Sequence, residues 1–497
     1  MPVGLILAID QGTTNTKGLL VGRSGEPVFR AATPVSLIYS ASGFVEQDPN
    51  LLLESVMKVI AECKAHADHA GARIEALAIS NQRETAVAWN SETGEPVANA
   101  ISWQCGRSAE ICDRLTAYSD EIRMRTGLPL APLVTAGKWA WLLQNNQAAR
   151  DAASNGTLCL GTVDSWIINR LTAGATHATD FSNASRTGLL NLENLSWDDE
   201  LLAIFGIPRK AMPQIRPSAG AFGSCSSDSG LRGVPVLAAI GDSHAAMFGH
   251  GHYAPGAVKA TYGTGSSLMM LTQALLPDNL ALARTIAWSI SGRPQFALEG
   301  NIAMTGSAVQ WVGEFLQLPN PIADAVALAA SVPDADGIYF VPAMVGLGAP
   351  YWDSNARGTI AGIGRSHTSA HLARAAIDAI AYQVADVLFA MEEMTHGKIH
   401  ELLADGGATR NAKLIQFQAD ILGRPVLRSS NEELSALGAA LLAGLAHGWW
   451  GSLAEIQALP RTADRFEPSL SPMECDRLYH GWQQTVRRAR LAPEVGA

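Results

Sequence analysis

Short apolar runs alternate with longer mixed stretches along most of the chain. Residues 5–9 are uninterrupted apolar, Gly12 permits a turn, and residues 17–21 resume an extended run. Arg23-Ser24-Gly25-Glu26 marks a second turn before residues 27–31, so the opening reads as a meander of three strands. The pattern then predicts a helix over 51–67, a strand over 74–79 and a helix over 108–116. Alternation of this kind specifies an α/β fold with a largely buried sheet.

Near Gly241 the pattern restarts. Residues 236–240 form an apolar strand, and a helix is expected over 245–249. "VKATYGTGSSLMML", residues 258–271, again reads strand, glycine-hydroxyl turn, strand. A run at 401–404 ends in "DGGATRN" and a helix follows; residues 343–358 are too glycine-rich for a helix, and 370–393 are helical in pattern. The chain therefore divides into two similar halves, 1–248 and 249–497, each led by a hydroxyl-rich hairpin. With 497 residues it is longer than one hydrophobic core usually serves.

Composition narrows the function classes. A net charge of −10 argues against broad nucleic-acid binding, which needs a basic face. The six cysteines show no C-x-x-C spacing and read as free thiols of a reducing cytoplasm. No run reaches the length of a membrane helix and no leader pattern precedes the first strand. A homo-oligomer, dimer or tetramer, is expected.

The turns carry the chemistry. In "AIDQGTTNTK", residues 8–17, Gly12, Thr13 and Thr14 present backbone N–H groups and hydroxyls in one direction, suited to phosphate oxygens. Lys17 adds a cation. Asp10 would repel phosphate directly, and a Mg²⁺ ion between the two resolves the conflict, since Mg²⁺ joins one or two carboxylates to phosphate. Gly263 and Thr264 lie in a second such turn, and Asp405-Gly406-Gly407 forms a third glycine turn, fit for backbone to lie against a base or ribose. Two phosphate-shaped turns imply a nucleotide held between the halves. No P-loop pattern occurs.

Asp242 follows a buried strand and precedes a helix. Taken alone it reads as a helix N-cap; facing a cleft, it is placed to accept the proton of an attacking hydroxyl. Arg83 and Glu84 end the strand at 74–79, where they are either a surface ion pair or partners for neighbouring hydroxyls of a polyol. Trp103 is core or a flat wall for a carbon chain. His244, His250 and His252 have no zinc-ligand spacing.

At this point the motifs resemble a family. DQGTT at 10–14, NQRET at 81–85, WQC at 103–105, TDFSNASRTGLLN at 179–191, TYGTG at 261–265, GLGAPYWD at 346–353 and DGGA at 405–408 are similar to the FGGY carbohydrate kinases, and among them to the glycerol kinases most. The resemblance implies two RNase H-like domains of actin/hexokinase type around an ATP cleft, and transfer of the γ-phosphoryl group to a sugar or polyol hydroxyl with Mg²⁺. It implies Asp242 as base, Asp10 near the metal, and Thr14, Lys17 and Thr264 at the phosphates. Gly306 and Gln310 fall where the nucleotide is contacted, and Gly407, Ala408 and Asn411 at the adenosine. Arg83, Glu84, Trp103 and Asp242 fall at the polyol.

Three positions depart from the glycerol kinase pattern. Leu133 stands where Tyr is usual, Ser243 where Gln is usual, and Ser267 where a Phe packs on the carbon chain. A smaller, more polar lining leaves room for a longer substrate. The sequence therefore favours a four- or five-carbon polyol or ketose, such as xylulose, ribulose or a tetritol. Glycerol itself is the alternative, and a non-catalytic actin-like nucleotide sensor is the alternative of another class. A base beside a polyol site argues against the sensor.

Overall fold

The computed structural model describes residues 3–40, 43–278 and 280–491. Its first sheet has five strands: β1 (Gly4–Gln11), β2 (Asn15–Val21), β3 (Pro27–Pro34), β4 (Arg73–Asn81) and β5 (Val236–Gly241), in the order β5-β4-β1-β2-β3. The predicted meander is β1–β3, antiparallel throughout, while β4 and β5 run parallel to β1.

The second sheet has seven strands: β6 (Val258–Tyr262), β7 (Ser266–Thr272), β8 (Ala283–Ile290), β9 (Arg293–Ile302), β10 (Leu402–Asp405), β11 (Val426–Ser429) and β12 (Ala463–Phe466), in the order β8-β9-β7-β6-β10-β11-β12. Within it, β11-β10-β6-β7-β9 repeats the pattern of the first sheet: two parallel strands, a hairpin, then one more antiparallel strand. The restart seen in the sequence is thus a repeat of topology. β8 and β9 lie outside the sequence-predicted elements.

An apolar run is buried on both faces of β1, with the strand period of two. Leu5, Leu7 and Ile9 face a cluster that includes Val56, Val59 and Ile60 of α1 (Pro49–His69). Ile6 and Ala8 face the opposite layer, made by α2 (Asp242–Gly249) and, from the far end of the chain, α5 (Leu434–His447). That layer also covers Met269, Leu271 and Ala297 of the second sheet, so both sheets share it. The two helices cross closely: a Cβ at Gly438 would lie 1.8 Å from the Ala245 carbonyl oxygen. The other face of the second sheet packs on α4 (Ser369–Thr395), and α3 (Gly306–Phe315) follows β9 directly.

Several boundaries move. The helix expected over 108–116 is Ala109–Arg114 followed by a 3-10 turn, Thr116–Tyr118. The helix expected from residue 245 begins at Asp242, because Gly241 (φ −64°, ψ 146°) takes the extended cap position. After "DGGATRN" a 3-10 turn, Gly407–Arg410, precedes the helix Ala412–Leu422. Residues 343–358 contain no helix. Among the described residues, no helix is long and apolar enough to cross a membrane.

Candidate active site

The first hairpin closes through Gly12 N–H, which donates to the Asn15 carbonyl at 2.9 Å. Asp10, next to last in β1, stands directly opposite Lys17 on β2. Its carboxylate accepts from the Ser80 hydroxyl at 2.8 Å. Burial, with the Asp242 charge next, pushes it up to about 6 against the pull of Lys17 and Ser80. A cation beside it relieves both effects. Among the described residues no three His, Cys, Asp or Glu side chains gather as a metal cage. The donor set therefore fits a hard cation held by one carboxylate with phosphate and water.

Lys17 does not stand free over the turn. Its Nζ lies 2.8 Å from Glu433 Oε2, and Arg30 takes the other oxygen at 2.7 Å. Glu433 precedes α5, so the pair ties the first hairpin to the far end of the chain. Lys17 and Arg30 line a cavity of about 520 Å³ together with Gly406, Gly407, Arg410 and Arg428. Thr14 is exposed at the tip of the turn. Thr13 is engaged differently: its hydroxyl accepts from Trp103 Nε1 at 2.9 Å, and the indole is 36% exposed, not part of the core.

The second hairpin meets the N-terminus of α3. Gly306 N–H donates to the Gly263 carbonyl at 3.0 Å, and Ser307 Oγ donates to the Thr264 carbonyl at 2.9 Å. The third turn packs on the same hairpin, where Gly406 (φ +95°) leaves no room for a Cβ, the Tyr262 carbonyl oxygen being 2.5 Å away. The third turn therefore lies against the second hairpin and lines the same cavity as Lys17. Gly407 is open to it, Ala408 is half-buried, and Gln310 is exposed one turn into α3. The Asn411 side-chain oxygen caps the following helix, accepting from Lys413 and Leu414 N–H.

Asp242 is the first residue of α2, not its cap. Its side chain is 39% exposed, and Oδ1 accepts from Ser243 N–H at 2.6 Å. Its backbone is fixed from two sides: Gly241 N–H donates to Ser182 Oγ at 2.9 Å, and Ser435 Oγ donates to the Asp242 carbonyl at 3.0 Å. Burial raises its carboxyl above the usual range, against the Arg83 guanidinium and the Ser243 N–H, which hold it down.

Arg83 and Glu84 are not a surface ion pair. Both are buried, and each has its own partners. Arg83 Nε lies 3.4 Å from Asp242 Oδ1, and its Nη1 lies 2.8 Å from Glu299 Oε1. Glu84 sits at φ +60°, a left-handed conformation that costs a non-glycine residue on the order of 1–3 kcal/mol. Arg186 Nε donates to it at 2.6 Å. Arg186 Nη1 faces Glu299 Oε2 at 2.8 Å, an ion pair whose atoms are not aligned as a hydrogen bond. One chain of charge thus runs Glu84, Arg186, Glu299, Arg83, Asp242.

A row of hydroxyls lies beside it. Lys259 Nζ donates to Ser243 Oγ at 2.7 Å, Ser243 and Ser267 hydroxyls are 3.0 Å apart, and Ser267 donates to Glu299 Oε1 at 3.0 Å. Leu133 is half-buried, and its carbonyl accepts from Lys138 Nζ. Burial pushes that lysine down to about 7 against the attraction of Glu84. His244 is buried between Arg83 and Thr285, and burial, then Arg83, drives it well below its usual range, so it is neutral. His250 pairs with Asp405 at 2.8 Å. Arg186, Lys259 and Glu299 escaped the sequence reading. The available signal for Glu299 was a lone carboxylate directly after the apolar run Phe296-Ala297-Leu298.

Comparison with known proteins decides the family. Residues 5–249 match the model of the FGGY family of carbohydrate kinases, N-terminal domain, and residues 258–447 match its C-terminal domain. The chain belongs to the FGGY carbohydrate kinases. FGGY membership makes it an ATP-dependent phosphotransferase with an alcohol acceptor, on a fold of actin/hexokinase type. Glycerol kinase 2 of Thermotoga maritima is 44% identical over 487 residues, 97% of this chain and 98% of the relative. The glycerol kinase of Carboxydothermus hydrogenoformans is 44% identical over 489 residues, 98% of each. The ADP-bound crystal structure of Plasmodium falciparum glycerol kinase superposes with a TM-score of 0.92 at 30% identity, covering 98% of each chain. A ligand-bound xylulose kinase from Lactobacillus acidophilus reaches 0.87 at 25% identity, covering 99% of each.

Proposed function

We propose that this FGGY kinase transfers the γ-phosphoryl group of ATP to a terminal hydroxyl of glycerol. The observation that carries the reading is the 44% identity, over nearly the whole chain, to relatives named glycerol kinase. It reverses the sequence-based preference for a four- or five-carbon substrate. The three altered positions are a minority of a lining that otherwise keeps Arg83, Glu84, Trp103 and Asp242.

In this reading Arg83 and Glu84 hold adjacent hydroxyls of the acceptor and Trp103 flanks its carbon chain. Asp242 accepts the proton of the attacking hydroxyl, as its partial exposure and raised affinity for a proton suit it to do. Gly12, Thr13 and Thr14 on one side, with Gly263, Thr264 and Gly306 on the other, donate to the phosphates. Lys17 joins them by exchanging Glu433 for a phosphate oxygen. Gln310, Gly407, Ala408 and Asn411 border the nucleoside. Asp10 would hold Mg²⁺, which supplies charge neutralisation at the phosphates. We read residues 1–248 and 249–497 as the two halves that close on the substrates, and the protein as a cytoplasmic homo-oligomer.

One observation favours a longer polyol or ketulose: the half-buried hydroxyls of Ser243 and Ser267, backed by buried Lys259 and Glu299. Comparing kcat/KM across glycerol, erythritol, D-xylulose and D-ribulose decides between the two. Glycerol is expected to exceed each of the others by at least about tenfold, the scale on which one misplaced carbon or hydroxyl discriminates. A pentulose or tetritol ahead of glycerol overturns the glycerol reading and leaves the kinase intact.

A further inference from the structure

The charge chain at the acceptor site has one member from the second sheet. Glu299 lies on β9, whereas Arg83, Glu84 and Arg186 all belong to the first half. Its carboxylate is fully buried, lies 2.8 Å from each of the Arg83 and Arg186 guanidinium groups and accepts from the Ser267 hydroxyl at 3.0 Å. Two buried guanidinium groups repel each other unless a carboxylate stands between them. Each also has a second carboxylate: Arg83 faces Asp242 at 3.4 Å and Arg186 faces Glu84 at 2.6 Å.

We propose that Glu299 is a positioning residue, which holds Arg83 against Asp242 and Arg186 against Glu84 and so sets the proton-accepting carboxylate and the acceptor-binding carboxylate in register. The inference rests on the base role of Asp242 proposed above. Glu299 touches neither reactant; it acts through the two arginines. Without it, Arg83 is free to close fully on Asp242, where a tight ion pair weakens the carboxylate as a proton acceptor. Arg186 loses one of its two anchors, and Glu84 loses its fixed direction. Asp10 and Lys259 also face Asp242, and His244 and Ser267 also face Glu299. Because none of them bridges the two arginines, none can replace it.

A double-mutant cycle tests this. Glu299→Gln keeps the shape and removes the charge. It is expected to lower kcat at least about tenfold while KM for ATP stays within about twofold, since the nucleotide turns are not touched. In the Asp242→Asn background the same change should cost the residual rate a clearly smaller factor than it costs the wild type, because only the arm through Arg186 and Glu84 is left for it to disturb, the non-additivity expected of groups that act through one another. Glu299→Asp, carried through the same cycle, covers the case in which Glu299→Gln fails to fold, and should retain more of kcat than Glu299→Gln. Equal fold-losses in both backgrounds, or a Glu299→Gln protein with wild-type kcat, overturn the proposal. If Asp242→Asn alone keeps wild-type kcat, it is the base assignment that fails, and the cycle reports that separately.

Discussion

Asp242→Asn is expected to lower kcat by roughly 10²–10⁴-fold, the range a positioned general base contributes, while ATP affinity stays within about twofold. The amide keeps the size of the side chain and the hydrogen bond from Ser243 N–H, but cannot accept a proton. What survives is positioning and charge stabilisation of the phosphoryl group, the larger part of catalysis in phosphoryl transfer. The same residue sets the pH profile. Burial raises the Asp242 carboxyl, so the base is protonated at a higher pH than an exposed aspartate would be. Activity in the wild type is therefore present above that raised value and lost as pH falls through it. In Asp242→Asn this acid limb should vanish from kcat. A variant with near wild-type kcat, or one that keeps the wild-type acid limb, removes Asp242 from the role of base.

The second large effect concerns stability. Arg186→Ala removes the guanidinium that lies between Glu84 and Glu299, both buried. Two carboxylates are then left facing a cavity with one arginine, Arg83, to serve them. Breaking a buried ion pair by deleting one partner costs roughly 3–5 kcal/mol, because the remaining charge is uncompensated. Chemical denaturation of the variant beside the wild type should show a loss of that size. A loss below about 1 kcal/mol, the value typical of an exposed pair, would mean that water enters the site freely and that the network is not a buried one. Activity should fall as well, since the Glu84 carboxylate loses the donor that directs it.

Much of this architecture was legible in the sequence because it is local. An uninterrupted run such as residues 5–9 has to be buried on both faces, and glycine with hydroxyls at 12–14 and 263–264 has to turn. The repeat of that chemistry pointed to two halves before any strand order was known. The start of α2 was read three residues late, since Gly241, with no side chain to cap, was not recognised as the extended cap residue. β8 and β9 were missed for a related reason. They carry Arg284, Thr285, Ser289 and Glu299, polar residues that look solvent-facing in a linear pattern but are buried. Their partners stand 71 residues or more away along the chain: Ser185 for the Thr285 hydroxyl, Ser218 for the Ser289 backbone N–H, and Arg83 and Arg186 for Glu299. Spacing along the chain carries no trace of such pairings. The same holds for Lys17, whose partner Glu433 lies at the other end of the molecule. Single-residue roles at the cleft were readable from residue type; the network that sets their directions exists only in three dimensions.

The central claim is that a polyol, held by Arg83 and Glu84 beside Asp242, receives the γ-phosphoryl group of ATP. Its most direct test is product analysis by mass spectrometry after incubating the purified wild-type protein with ATP, Mg²⁺ and glycerol. Glycerol monophosphate and ADP are expected in equal amounts, with ADP release dependent on the acceptor. ADP without a phosphorylated acceptor, or no turnover with glycerol or any of the four- and five-carbon acceptors named above, would contradict it.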